Sequence, residues 1–304
     1  MVKTSLERVL MSNIFKKIQN NRLELLILLI ILTIAIFLRF FRLSEYMTFL
    51  GDEGRDALIV KRILTQGDIP FIGPPSSVGN LYLGPFYYYL MALSMSIFWL
   101  NPVASAGMVA LIGSLTVFLI YYFGRLLFNN WTGLVAALLY AISPITINYS
   151  RSSWNPNPAP FFAILTFISL YKAHLSGSRV WLFWCGVFLS GAVQMHYLTL
   201  PLLPAVLVFW IIKCHFQKLS KSFFTTSILA LILGFNLTLL PWWLFELKHN
   251  FVNLRGIKEI FFGTQSSVGF NLFIYLEKTF NTTLYVLIGD YLAGNNFLIS
   301  LSVL

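Results

Sequence analysis

The run LGPFYYYLMALSMSIFWL, residues 83–100, decides how this chain is threaded. It is apolar, aromatic and close to the ~20 residues that an α-helix needs to cross a bilayer. If it crosses, every later loop changes sides; if it lies along the surface, none does. The short loops that follow discriminate. Arg125, then Lys172 and Arg179, then Lys213, Lys218 and Lys221 fall on one alternating set, and only Arg151 falls on the other. Lys and Arg accumulate in cytoplasmic loops. They do so consistently here only if 83–100 does not cross. The run is therefore expected to be an aromatic-rich helix in the outer interface, where tyrosine rings sit well.

Outward from this run the chain is apolar throughout. Its 304 residues are 58% hydrophobic, 17% aromatic and 11% charged, with a mean hydropathy of +0.76. Soluble domains are about half apolar and about a quarter charged, so the chain reads as an all-α polytopic membrane protein. The net charge of +10 belongs to loops and argues for no nucleic acid partner. Cys185 and Cys214 lie in or beside apolar segments without metal-ligand spacing and read as packing residues. The remaining span-length windows are 24–40, 103–124, 131–149, 158–175, 179–196, 198–213 and 223–245.

Residues 1–22 are basic and amphipathic, as expected of a helix on the inner leaflet. The first span ends in Arg39-Phe40-Phe41-Arg42 rather than a small-residue cleavage site, so it reads as an uncleaved anchor with a cytoplasmic N-terminus. Residues 23–304 then form one transmembrane domain with external segments at 41–102, 150–157, near 194–198 and at 246–295. The last run, 296–304, would rise only ~14 Å as a helix. It reads as a truncated span, and the chain as a C-terminally truncated fragment.

Residue types suited to catalysis gather on the external side. In FLGDEGRDALIVKRILTQGDIP, residues 49–70, two readings stand side by side. Asp52 caps a helix while Asp56, Lys61 and Arg62 face water; or Asp52 or Glu53 projects into a membrane-proximal cavity as a general base. Arg151, Asn155 and Asn157 sit in NYSRSSWNPNPAPFF, residues 148–162. Asn155 can cap the next helix there, with Pro156 at its first position. His196 lies at the outer end of a span, and Glu246, Lys248, His249 and Arg255 follow Trp242 and Trp243. That last group reads as an interfacial belt or as a phosphate-binding rim. The cytoplasmic loops are merely basic, and the spans hold almost no ionisable group apart from Glu24. The asymmetry points to chemistry at the outer interface on a membrane-anchored substrate.

These motifs, in this order, resemble the GT-C membrane glycosyltransferases. The branch is that of bacterial relatives of protein O-mannosyltransferases and of the lipid A aminoarabinose transferase. The resemblance rests on GDEGRDALIVKRIL (51–64), the turn Gly67-Asp68-Ile69-Pro70, GPFYYYL (84–90) and Ser143, Pro144, Ile147, Ser150 and Arg151. QMHYLTL (194–200) and LPWWLFELKHNF (240–251) extend it over nearly the whole chain. It implies a GT-C-type helix bundle whose long first external loop carries interfacial helices, in the plasma (inner) membrane. It also implies transfer of a sugar from a polyprenyl-phosphate donor to a hydroxyl of a lipid, glycan or protein acceptor on the extracytoplasmic side.

Residue by residue, the resemblance implies Asp52 as general base with Glu53 beside it. Arg55, Arg151 and Arg255 are implied on the donor phosphate, and Tyr87, Tyr88, Asn155, Asn157, His196 and Glu246 on the substrates. Direct displacement with one base implies inversion at the sugar carbon. Two departures bear on this. Leu83 and Gly84 stand where some relatives carry Glu-Lys, and Asn155 and Asn157 stand where relatives often carry an Asp. No cofactor is expected; a divalent metal is compatible with the chemistry but unsupported by the residues. The competing readings are a transporter or flippase of lipid-linked sugars, which calls for ionisable groups inside the spans, and a non-catalytic membrane scaffold.

Overall fold

The structure, a computed structural model, describes residues 22–76 and 81–262. The expected amphipathic segment before residue 22, the external loop beyond residue 262 and the last run 296–304 lie outside the described residues. The chain divides into two compact units, Met1–Asn253 and Leu254–Leu304. All described segments up to Asn253 belong to the first.

Among the described residues the chain is helical, with only two isolated bridges, Thr48 to Ser152 and Pro75 to Tyr82, in place of strands. Five helices are long and apolar enough to cross a membrane. They are α1 (Arg22–Phe40), α5 (Pro102–Leu127), α8 (Ala159–Ser176), the segment Tyr197–Phe216 made of a 3₁₀ turn and α10 (Leu202–Phe216), and α11 (Lys221–Lys248). α6 (Asn130–Ile142) and α7 (Pro144–Ser150), bent by 63° at their junction, are together long and apolar enough for a sixth. α9 (Arg179–Met195) is apolar and 17 residues long. Each span window read from the sequence thus holds a helix. The decisive run holds α4 (Phe86–Ile97), which at 12 residues rises only ~18 Å, well short of a ~30 Å hydrocarbon core.

Local chemistry sets these boundaries. Asn101 accepts the Val103 N–H and Pro102 opens α5; Asn129 and Ser220 cap α6 and α11 in the same way. Pro144 lacks an N–H and pushes Ser143 to an extended backbone, so α6 ends there and α7 leaves at an angle.

α9 packs between α8 and α11. At the α9–α11 crossing the two backbones touch. A Cβ on Gly234 would lie 2.0 Å from the Phe183 carbonyl oxygen, and one on Gly186 2.1 Å from that of Leu231. Small residues are what allow such an approach in lipid, where no hydrophobic force draws helices together. Gly234→Ala is expected to cost about 1–3 kcal/mol, read as a lower thermal midpoint in detergent. Gly107→Ala, whose Cβ meets only Leu43 at 3.9 Å, should leave the midpoint unchanged.

A layer of shorter helices is made by α2 (Leu43–Tyr46), α3 (Gly51–Gln66) and α4. Glu53, Asp56, Ala57 and Val60 form the buried face of α3, at helical spacing. They meet Tyr87, Tyr88, Met91 and Met95 of α4, and beneath these Phe162 of α8 with Ala192 and Met195 of α9. The site is therefore built on a packed layer over the ends of α8 and α9. α12 (Val252–Phe262) runs into the second unit.

Candidate functional site

α3 begins two residues earlier than a cap at Asp52 requires. Leu50 is the N-cap and Gly51 the first helical residue. The carboxylate that serves the exposed N–H is that of Glu53, whose Oε2 accepts from Leu50 N at 3.0 Å. Glu53 is 5% exposed, and its other oxygen accepts from Ser152 Oγ at 2.7 Å, beside the Thr48–Ser152 bridge. It pins the start of α3 to the loop after α7, with both oxygens engaged.

Asp52, freed from capping, sits in the first turn with its side chain 52% exposed. Arg55 Nη1 donates to its Oδ1 at 2.7 Å. Among the described residues its second oxygen has no partner. Asp56 does not face water: it is fully buried. Arg55 Nε and Nη2 both lie 2.8 Å from Asp56 Oδ1, and Tyr88 donates to the same oxygen at 3.2 Å. Burial pushes the Asp56 carboxyl up to about 6 against the opposing pull of Arg55. Burial and then the neighbouring Asp56 raise the Tyr88 hydroxyl well above its ordinary range.

The other expected contacts divide into those tied into this corner and those engaged elsewhere. Tyr87 is fully buried and donates to the Ser153 carbonyl, and Asn157 donates to the Ser152 carbonyl at 3.0 Å. Both therefore shape the 150–157 loop under α3. Asn155 does not cap α8, which starts at Ala159; it is buried and donates to Met195 O at 2.6 Å. His196 Nδ1 accepts from Leu198 N at 3.2 Å, capping the 3₁₀ turn, and its ring stacks on Tyr197. Glu246 is fully buried and accepts from Asn253 N and Nδ2. Asn253 in turn accepts from Tyr82 N, and Trp242 Nε1 donates to Tyr82 O, so this network docks the loop before α4 onto α11. Arg151 donates to the Leu38 carbonyl and lies over the Tyr46 ring at 5.2 Å, which binds it to the end of α1. Arg255 is exposed on α12 within the second unit.

Beside Arg55 a cavity of about 630 Å³ runs along α3, lined by Arg55, Leu58, Ile59, Lys61, Arg62, Thr65 and Gln66. Its lining has three cations and no carboxylate. Arg55 keeps N–H donors to spare on its Nη groups after serving both aspartates. An anion entering here meets Arg55 with Asp52 next to it. Among the described residues, no group of three or more His, Cys, Asp and Glu side chains is placed to hold a metal ion.

Sequence reading missed Asp56, Ser152 and Ser153. For Asp56 a signal existed: it shares the helical stripe of Glu53, Ala57 and Val60, so an acidic residue stood on a face destined for burial. For the serines there was none, because their partners lie far away in the chain.

Residues 83–242 match the family described as dolichyl-phosphate-mannose-protein mannosyltransferase. The archaeal oligosaccharyltransferase AglB from Archaeoglobus fulgidus, solved in complex with an inhibitory peptide and a dolichol-phosphate, is similar with a TM-score of 0.53 and 15% identity. That match covers 89% of this chain and 38% of the solved one. The Archaeoglobus fulgidus oligosaccharyltransferase in its apo form gives 0.50 and 15%, over 87% and 37% respectively. The chain thus spans less than two-fifths of the length of either solved protein. No curated protein sequence matches it significantly. The shared bundle is the GT-C fold.

Proposed function

The chain belongs to the dolichyl-phosphate-mannose-protein mannosyltransferase family, and from that premise we propose that it is an inverting glycosyltransferase. It takes a sugar from a polyprenyl-phosphate donor and attaches it to an acceptor hydroxyl at the extracytoplasmic face of the inner membrane. The observation that carries this reading is the Asp52–Arg55 pair, with Asp52 half exposed and Arg55 lining a cavity that carries two further cations. The acceptor oxygen attacks the anomeric carbon as the bond from that carbon to the phosphate oxygen breaks. Asp52 takes the acceptor proton, and polyprenyl phosphate leaves with the electron pair. Phosphate needs no protonation to depart, so one base suffices. Arg55 lies where charge grows on the leaving phosphate. Tyr87 and Asn157 hold the 150–157 loop beneath α3, which steadies the helix that carries both groups. A dolichol-phosphate occupies the solved archaeal relative alongside a peptide; for this chain the acceptor is a lipid, a glycan or a protein.

The flippase alternative calls for ionisable groups inside the spans. Glu24, Arg39 and Lys213 are buried there, but each is tied down. Asn130 donates to Glu24 at 2.6 Å, Arg39 bonds to neutral oxygens, and Lys213 donates to the Ala173 and His174 carbonyls. The test is the full-length protein in proteoliposomes supplied with labelled polyprenyl-phosphate sugars. Transfer to acceptor with the opposite anomeric configuration is expected. Movement of intact donor across the bilayer without transfer would establish the flippase instead.

A further inference from the structure

Arg55 is gripped from two sides. Outside stands Asp52, half exposed; inside stands Asp56, with no exposed surface. A buried carboxylate is costly unless it is paired and hydrogen-bonded. Asp56 meets that demand through Arg55 Nε and Nη2 and through the Tyr88 hydroxyl, all on one oxygen. Its other oxygen is buried and, among the described residues, has no hydrogen-bond partner. The ion therefore depends on Arg55, and the guanidinium, fixed side-on, has little freedom left to rotate. Tyr88 belongs to the cluster that joins α3 and α4 to α8 and α9. A continuous line thus runs from the packed core through Tyr88, Asp56 and Arg55 to Asp52.

We propose that Asp56 is a positioning residue for the transfer step: it fixes Arg55 from inside the fold, and Arg55 fixes Asp52 at the surface. The proposal rests on the assignment of Asp52 as the base. It explains why an acidic residue occupies the buried stripe of α3, where an apolar one would pack at lower cost. The charged and titratable groups bearing on Asp56 are Arg55 and Asp52 from its own helix and Tyr87 and Tyr88 from α4.

Asp56→Asn keeps the shape and removes the charge. With the full-length protein in proteoliposomes, kcat is expected to fall about 10- to 100-fold, the scale of a small misplacement of a reacting group. KM for the donor should rise as well, at least about tenfold, because a loosened Arg55 holds the phosphate less well. KM does not depend on how much protein folds. A lower kcat with an unchanged KM would mean that Asp56 merely supports the fold, and would overturn the proposal. If Asp56→Asn does not fold, Tyr88→Phe should move kcat and KM the same way but less; no movement overturns the proposal equally.

Failure of the functional reading is separate, since the unaltered protein would then transfer no sugar. In that case binding of polyprenyl phosphate alone decides. Asp56→Asn should weaken it at least about tenfold by loosening Arg55, and unchanged binding would overturn the proposal.

Discussion

Asp52→Asn is expected to reduce sugar transfer by about 10²–10⁴-fold, the range that a positioned general base supplies. Asparagine keeps the size of the side chain and can still accept from Arg55, but it cannot take a proton. Folding should be unaffected. Asp52 is half exposed, and its pairing with Arg55 is a surface contact of the kind worth at most about 1 kcal/mol. Binding of the donor should also survive, because Arg55 retains Asp56. The expected signature is therefore a collapse of kcat with little change in KM for the donor, measured beside an unchanged thermal midpoint. Transfer at the native rate would remove Asp52 from the mechanism. Glu53 is a poor substitute, since Ser152 and the Leu50 amide already occupy both of its oxygens.

Arg39→Ala is expected to cost about 3 kcal/mol or more, seen as a thermal midpoint lowered by roughly 5–10 °C in detergent. Arg39 is fully buried at the C-terminal end of α1. Its guanidinium donates to the carbonyls of Ala35, Tyr140 and Ala141 and to the hydroxyls of Thr146 and Ser150, all between 3.1 and 3.3 Å. The carbonyls of Tyr140 and Ala141 are among those that α6 leaves without helical partners when it breaks at Ser143. Inside a membrane such groups must be satisfied by protein, and the fork of one arginine does this while joining α1 to both halves of the bent span. Arg39→Lys keeps the charge but replaces the planar fork with a point charge, so an intermediate loss is expected. Transfer should fall as well, because the loop that anchors Glu53 and Tyr87 starts just after Ser150. An unchanged midpoint in Arg39→Ala would show that the bent span holds itself.

Much of this was legible before any coordinates. Apolar windows located the helices that are long and apolar enough to cross a membrane, because composition reports directly on the solvent that suits each segment. The short α4 within 83–100 agrees with the alternation of basic loops. The loop that carries Asp52 and Arg55 stood out as well, because charges gathered beside an apolar run are rare.

What sequence alone determined was therefore which segments meet lipid and which loop carries the charged groups: local composition decides whether a segment enters the bilayer. What only the tertiary structure decided was the role of each charge within that loop. Glu53 rather than Asp52 closes the start of α3, Asp56 is buried rather than solvated, and Arg151 is spent on the Leu38 carbonyl and Tyr46. These outcomes depend on Ser152 and Leu38, about a hundred residues away from the groups they hold, and on Tyr88 across a turn-rich loop. Burial and hydrogen-bond partners arise only when those segments pack, and no local pattern encodes them.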